Sequence, residues 1–214
     1  MSHKFYIFAN GILRDPECVH SQIQAGDGII AADGGGNHLP RLKIIPDAVV
    51  GDMDSIDPGL LTQFEQSGTK VLRYPAEKDQ TDLELAIQYA LEQGAKEMVI
   101  AAGLGGRLDQ TLGNLSLLSM PVLSRINLRL EDGVEEAWFL CAGKTEIKGK
   151  VGDIVSLLPW GEPVAGIITE GLKYPLENET LYPEKSRGIS NELVRQDAGV
   201  FVRSGRLLII HTRK

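Results

Sequence analysis

Ala48-Val49-Val50-Gly51-Asp52-Met53-Asp54-Ser55 joins a short apolar run to a glycine and two carboxylates. An apolar run of this length, closed by turn residues, reads as a strand buried on both faces. The arrangement recurs downstream, where Lys70–Tyr74 is followed by Lys78-Asp79-Gln80-Thr81-Asp82-Leu83-Glu84. Acidic residues are thus delivered to the places where strands end, and in an open α/β sheet that edge binds ligands. Two unit charges ~4 Å apart repel by roughly 4 kcal/mol at an effective dielectric of about 20. Several such pairs would weigh heavily on a fold worth only ~5–15 kcal/mol in total. A divalent cation relieves the repulsion, and carboxylate oxygens suit Mg²⁺, which commonly arrives with a polyphosphate.

Working outward, strand-like and helix-like segments alternate. Strands are predicted at Phe5–Ala9, Gly28–Ala32, Ala48–Val50, Lys70–Tyr74 and Met98–Ala102. Helices are predicted at Pro16–Gln24, Asn37–Leu42, Pro58–Gln66, Asp82–Gln93 and Asp109–Met120. The Asp82 helix is the clearest, with Leu83, Ala86, Ile87, Ala90 and Leu91 at helical spacing and Gly94 after it. Alternation of this kind predicts an α/β, mainly parallel, Rossmann-like three-layer domain. After Pro121 the texture changes to short strand-like runs: Asn127–Leu130, Ala137–Cys141, Ile154–Leu158, Val164–Thr169, Val200–Arg203 and Leu207–His211. These predict an all-β sandwich. The expected domains are therefore 1–121 and 122–214.

The chain has 214 residues, 43% hydrophobic and 24% charged, with a formal net charge of -7. That balance is ordinary for a globular protein and argues against a nucleic-acid binder, which would show a basic face. No apolar run nears the ~18–20 residues of a membrane span. Met1-Ser2-His3-Lys4 leads straight into a strand without a signal-like apolar stretch, so a cytoplasmic protein is expected. Cys18 and Cys141 are far apart and outside any metal-ligand spacing, which reads as two reduced, core-type residues.

Each candidate loop has a plain structural reading beside the chemical one. Asp33-Gly34-Gly35-Gly36 is either a phosphate-approaching turn before a helix or a tight strand-to-helix turn with an Asp cap. Asp52 and Asp54, two apart on an extended strand end, would point the same way and grip one cation; otherwise they form a solvated acidic turn. Thr81 or Asp79 is positioned to cap the next helix, with Asp82 in its first turn. Lys78 either meets phosphate or neutralises Asp79. Gly103-Leu104-Gly105-Gly106-Arg107-Leu108-Asp109 joins a strand to a helix and carries an arginine able to fork onto phosphate oxygens. Neither GxGxxG nor GxxxxGK[ST] occurs, which disfavours a nicotinamide dehydrogenase and a Walker-type NTPase.

The ordered series Ala32-Asp33-Gly34-Gly35, Gly51-Asp52-Met53-Asp54-Ser55, Lys78-Asp79-Gln80-Thr81-Asp82 and Gly105-Gly106-Arg107-Leu108-Asp109-Gln110 resembles the thiamine pyrophosphokinase family. Gly171-Leu172-Lys173-Tyr174-Pro175-Leu176 and Gly188-Ile189-Ser190-Asn191-Glu192 extend the likeness into the second half. The resemblance implies transfer of the diphosphoryl group of ATP to the hydroxyl of thiamine, with Mg²⁺, in a homodimer whose site lies between subunits. It implies Asp52, Asp54 and Asp82 as metal ligands, with Asp33 and Asp109 nearby. Asp54, Asp82, Asp52 and Arg107 are the expected catalytic set. Asn10, Gly11, Gly34, Lys78, Asp79, Thr81, Gly105 and Gly106 are expected on the nucleotide side, and Ser190 and Asn191 on the thiamine side. Gln110 stands where many bacterial members carry His, and the terminal Trp of animal members is absent. Trp160 and Tyr174 are the candidate aromatic partners, set against the reading that both are core. Two other functions stay open: a Mg²⁺-dependent nucleotide phosphohydrolase and a non-catalytic nucleotide-binding module.

Overall fold

The computed structural model describes residues 3–214; Met1 and Ser2, part of the amino-terminal reading, lie outside the described residues. The chain forms two compact units, Met1–Gly133 and Val134–Lys214.

The first unit holds strands β1 Lys4–Phe8, β2 Gly28–Ala32, β3 Ala48–Gly51, β4 Lys70–Arg73, β5 Glu97–Ala101 and β6 Asn127–Glu131. Within it they lie in the order β6-β5-β1-β2-β3-β4, and every pairing is parallel. Central strands are apolar without alternation because helices cover both faces: Tyr6, Ile7, Phe8, Val99 and Ile100 are wholly buried. Tyr6, Phe8, Ala31 and Val49 pack with Val19, Leu39, Leu61 and Phe64 from α1 Pro16–Gln22, α2 Leu39–Leu42 and α3 Pro58–Gln66. The alternate residues Ile7, Ile30 and Val50 face the other way, where α4 Asp82–Glu92 crosses β1, β2 and β3. Helix starts follow local chemistry: Asp15 caps α1 through the Cys18 N–H at 3.0 Å, and Asp57 caps α3 through Leu60 N–H at 2.8 Å. Pro16 and Pro58 fill the first helical positions.

Asn127–Glu131, expected among the later β strands, instead pairs in parallel with β5, Met98 opposite Leu128. The helix before it, α5 Leu108–Leu117, is one more crossover of the first sheet. The change of texture at Pro121 therefore marks a 3-10 turn, Pro121–Leu123, within a β-α-β unit.

The second unit holds β7 Glu135–Leu140, β8 Gly143–Lys148, β9 Ile154–Pro159, β10 Val164–Glu170, β11 Glu177–Leu181, β12 Asn191–Glu192, β13 Asp197–Val202 and β14 Leu207–Thr212. Within the unit the pairings run β12-β9-β14-β7 and β11-β10-β13-β8, all antiparallel. Ile147, Val155, Leu157, Ile167, Leu181, Val200, Val202, Leu207 and Ile209 fill the core of the sandwich. Sequence reading missed β8, β11 and the two-residue β12. Lys144-Thr145-Glu146-Ile147-Lys148 and Glu177-Asn178-Glu179-Thr180-Leu181 are polar, and each gives the core only one fully buried apolar residue.

A polar lock closes this unit. His211 is 0% exposed, with Nδ1 3.0 Å from Glu136 Oε1 and Nε2 3.0 Å from Asp153 Oδ2. Burial works against the ring's charge, but hydrogen bonds and Coulomb attraction from both carboxylates outweigh it and raise the pKa. Burial likewise opposes ionisation of Asp153, yet the Lys150 and Lys214 backbone N–H groups and His211 hold its pKa below the ordinary value. The cysteines depart from expectation: Cys18 is half-buried, Cys141 is exposed, and both are free. Cys141 sits just beyond the end of β7, which leaves its side chain outside the packed interior.

Candidate active site

The turns after β1, β2, β3 and β5, with the segment entering α4, open onto one cleft of about 640 Å³ within the first unit. Chain order runs from β1 out to β4 and then returns to β5 on the other side of β1, so the cleft lies at the strand-order reversal. Three non-glycine residues at these strand ends hold left-handed backbone: Asp33 (φ 42), Met53 (φ 67) and Ala102 (φ 55). Such conformations are costly and collect where function over-determines the backbone.

Asp33 ends β2 and opens a 3-10 turn, Asp33–His38, that contains the three glycines. The glycines were expected before a helix at Asn37; they are the helical turn itself. A Cβ on Gly35 would collide with the Phe8 carbonyl, and one on Gly34 would lie 2.5 Å from Asn10 Nδ2. Close packing against β1 and Asn10 therefore fixes these positions, with Gly34 also lining the cleft.

Asp33, Asp52 and Asp82 each offer a carboxylate oxygen, and the three oxygens lie within 4.8 Å of one another. Asp33 is buried; loss of hydration raises its pKa, with the Asp82 charge adding to the rise and bonds from Ser55 and Gly34 opposing it. Gly51 makes room for the cluster: a Cβ there would sit 2.8 Å from Asp33 Cβ and 3.0 Å from Asp82 Cγ, at φ 151. Thr81 caps α4 by accepting from Glu84 N–H at 3.2 Å, so Asp82 falls in the first turn as expected. Lys78 lies 3.0 Å from Asp82 Oδ1 and 3.5 Å from Asp52 Oδ2. It does not neutralise Asp79, which is exposed and does not line the cleft.

Asp54 departs from the expected pairing. Extended backbone would have aligned it with Asp52, but the left-handed Met53 breaks the alternation. Asp54 is exposed, its carboxylate accepts the Ser55 hydroxyl at 2.7 Å, and its N–H donates to Asp52 Oδ1 at 3.2 Å. The Ser55 bond is the main reason its pKa is lowered. Asp109 also stays outside the cluster. Arg107 forks onto it, Nε to Oδ1 at 3.1 Å and Nη2 to Oδ2 at 2.6 Å, both side chains exposed. That bond holds the Asp109 pKa below its ordinary value. Arg107, Gly105 and Gly106 do line the cleft, as do Asn10 and Gly11. Gly11 N–H donates to Ala102 O at 2.9 Å, tying the β1 and β5 turns together.

Sequence reading missed Ser55, Gln80 and Asn114 in the lining. Ser55 N–H donates to Asp33 Oδ2 at 3.1 Å and Asn114 Nδ2 donates to Gly103 O at 2.8 Å. Gln110 and Asn114, four apart on a helix, share one polar face, which is the signal that could have found Asn114.

The cluster fits a hard divalent cation. It presents carboxylate oxygens from two strand ends, after β2 and β3, and from the first turn of α4. Asp82 Oδ1 is sealed from solvent and has no aligned hydrogen bond, although Lys78 is close. The space beside it is one that a single Cβ at Gly51 would fill.

Ser190 and Asn191 lie in the second unit. Ser190 is exposed with φ 58. Asn191 is buried: its Oδ1 accepts from Tyr174 N–H at 3.0 Å and its Nδ2 donates to Tyr174 O at 2.7 Å. The amide is thus spent on the backbone of Tyr174, a residue that is 61% exposed and not core. Trp160 is half-buried and packs edge-on against Phe139, with ring centroids 5.3 Å apart. Tyr174, Leu176, Arg187, Ile189 and Asn191 border a second hollow of about 430 Å³.

Residues 19–130 match the family model described as thiamin pyrophosphokinase, catalytic domain, and residues 144–209 match thiamin pyrophosphokinase, vitamin B1 binding domain. A thiamine pyrophosphokinase of Bacillus subtilis is 34% identical over 184 residues, covering 86% of each chain. A thiamine pyrophosphokinase of Arabidopsis thaliana is 32% identical over 173 residues, 70% of this chain and 64% of the relative. The crystal structure of a Bacillus subtilis thiamine pyrophosphokinase superposes with a TM-score of 0.88 at 29% identity, covering 99% of both chains.

Proposed function

The chain belongs to the thiamin pyrophosphokinase family, and we infer from that premise that it is an ATP-dependent enzyme making thiamine diphosphate from thiamine. The observation that carries the reading into this chain's own residues is the convergence of Asp33, Asp52 and Asp82. These three would hold Mg²⁺, which when bound neutralises charge on the phosphate oxygens. Lys78 and Arg107, both in the cleft lining, bind polyphosphate oxygens, while Asn10, Gly11, Gly105 and Gly106 pack against the nucleotide. Phosphoryl-type transfer needs positioning and charge neutralisation more than covalent help. The thiamine hydroxyl oxygen bonds to the β-phosphorus, the bond from that phosphorus to the α,β-bridging oxygen breaks, and AMP leaves. The hydroxyl proton passes to a carboxylate of the acidic group, Asp54 or Asp82.

The first unit is proposed as the nucleotide- and metal-binding part and the second as the thiamine-binding and dimerisation part. Ser190 is placed on the aminopyrimidine, and Asn191 holds Tyr174 beside it; the support is the hollow that Tyr174 and Asn191 border. A homodimer with sites shared between subunits, in the cytoplasm, completes the reading. The two free cysteines suit a reducing compartment, and among the described residues no helix is long and apolar enough to cross a membrane.

The deciding assay is AMP release from ATP, with and without thiamine. Thiamine-dependent AMP is the expected result. Phosphate release without thiamine would mean a phosphohydrolase, and ATP binding without AMP a non-catalytic module.

A further inference from the structure

We infer that Lys78 is a built-in counter-ion that holds the divalent cation's place in the acidic cluster and is displaced when the cation binds. The inference rests on the reading of Asp33, Asp52 and Asp82 as metal-holding carboxylates.

The Lys78 ammonium sits against two of those three carboxylates, 3.0 Å from Asp82 Oδ1 and 3.5 Å from Asp52 Oδ2, with its side chain only 16% exposed. Among the described residues no other lysine or arginine is ion-paired to either carboxylate. Its closest aligned hydrogen bond goes to the Pro75 carbonyl, at 3.1 Å. The contact with Asp82 Oδ1 is one of charge without alignment, since that oxygen is sealed from solvent yet lacks a hydrogen bond. Lys78 therefore supplies the cluster with positive charge and one long hydrogen bond, to Asp52 at 3.5 Å, and leaves Asp82 Oδ1 without a directed bond. A divalent ion among the three oxygens would supply both.

The two cations exclude each other. A divalent ion among these oxygens would stand within a few ångströms of the ammonium, where like charges repel strongly. Lys78 can leave without refolding, because it is a point charge on a flexible four-carbon stem. It also lies in the stretch between β4 and α4, where Tyr74–Glu77 and Asp79 are exposed. The cleft that Lys78 lines also takes Arg107, so polyphosphate oxygens are the natural new partners of the freed ammonium. Metal binding then frees a phosphate-binding group, and phosphate keeps that group off the metal. Coupling of this kind must act equally in both directions.

The test uses Mn²⁺ alone, without nucleotide, on the full chain, following the free ion by electron paramagnetic resonance. Lys78→Met should bind Mn²⁺ roughly tenfold more tightly than the parent, within the range usual for coupled sites. Lys78→Arg, which keeps the charge, should stay near the parent. Thermal melts should show a larger Mn²⁺-induced rise for Lys78→Met than for the parent. If Lys78→Met does not fold, the neutral Lys78→Gln gives the same readout. Equal or weaker Mn²⁺ binding by the neutral variants, with the parent still binding and Asp82→Asn not, would overturn the inference and leave the metal reading standing. Absence of Mn²⁺ binding by the parent and every variant would overturn both.

Discussion

Gly51→Ala is the sharpest probe of the acidic cluster, because it adds one methyl group and removes no functional atom. The new Cβ would lie 2.8 Å from Asp33 Cβ and 3.0 Å from Asp82 Cγ and Oδ1. Neither neighbour is the loose end of a long side chain. Asp33 is buried in its turn, and Asp82 is fixed at the start of a capped helix. Clearing ordinary contact distance requires both carboxylates to move apart by several tenths of an ångström. Overpacking of this kind costs about 1–3 kcal/mol. Backbone at φ 151 adds strain for an L-residue, of order 1–3 kcal/mol. Taking about 3 kcal/mol in all, a chain of this size should lose roughly 10 °C in melting temperature. A shift of catalytic groups by a fraction of an ångström should cost about 10–100-fold in turnover. Melting is followed by circular dichroism, and turnover by thiamine-dependent AMP release. Gly113→Ala is the matched control. It lies inside α5 with open space around it, and should stabilise by about 0.5–1 kcal/mol without changing turnover. Parental melting and parental AMP release in Gly51→Ala would refute the crowding argument. Lower stability with full activity would show that the cluster's spacing does not govern the reaction.

Asp82→Asn should lower AMP release by at least about 10³-fold with far-UV dichroism unchanged, since Thr81 still caps α4; a near-normal rate would reject the metal assignment. Ser190→Ala should raise the KM for thiamine severalfold and leave that for ATP unchanged, and a defect confined to ATP would refute its placement. His211→Gln leaves the buried Asp153 carboxylate without its cation, while Glu136 keeps Arg213 at 3.3 Å, and removing one partner of a buried pair costs about 3–5 kcal/mol. Because the folded-state pKa of His211 is raised, its ionic contribution is fully present below the unfolded value of about 6.5 and fades as pH rises through the folded one. Urea unfolding should therefore show the parent's advantage over His211→Gln to be largest near pH 6 and smaller in alkali; an advantage independent of pH would refute the charged lock.

The parallel sheet was legible because its strands carry one message. Ile29 to Ala32 and Ala48 to Val50 are apolar without a break, and only burial on both faces tolerates that. The helices between them declared themselves by caps that work locally: Asp15, Asp57 and Thr81 each bond an N–H three residues on. The polar strands β8 and β11 were illegible for the opposite reason, since what holds them is pairing with distant partners. Lys144–Lys148 bonds to Asp197–Phe201, and Glu177–Leu181 to Val164–Ile168. Asn127–Glu131 was legible as a strand but not as a parallel one, because its own residues do not tell which neighbour it will have.

The acidic site shows the same limit at the scale of single atoms. Sequence alone delivered Asp33, Asp52, Asp54, Asp82 and Asp109 to one edge of a sheet, and strand ends explain that much. Which of them meet is decided by two things that residue spacing does not carry. One is the sign of φ at Met53, which turns the chain between Asp52 and Asp54 and leaves Asp54 to Ser55. The other is competition for partners, which gives Asp109 to Arg107 and Asn191 to the backbone of Tyr174. Gly51 links the two: without a side chain it lets β3 end in a backbone shape that brings Asp52 beside Asp33 and Asp82. The residue with the least chemistry in that stretch thus sets the spacing of those with the most.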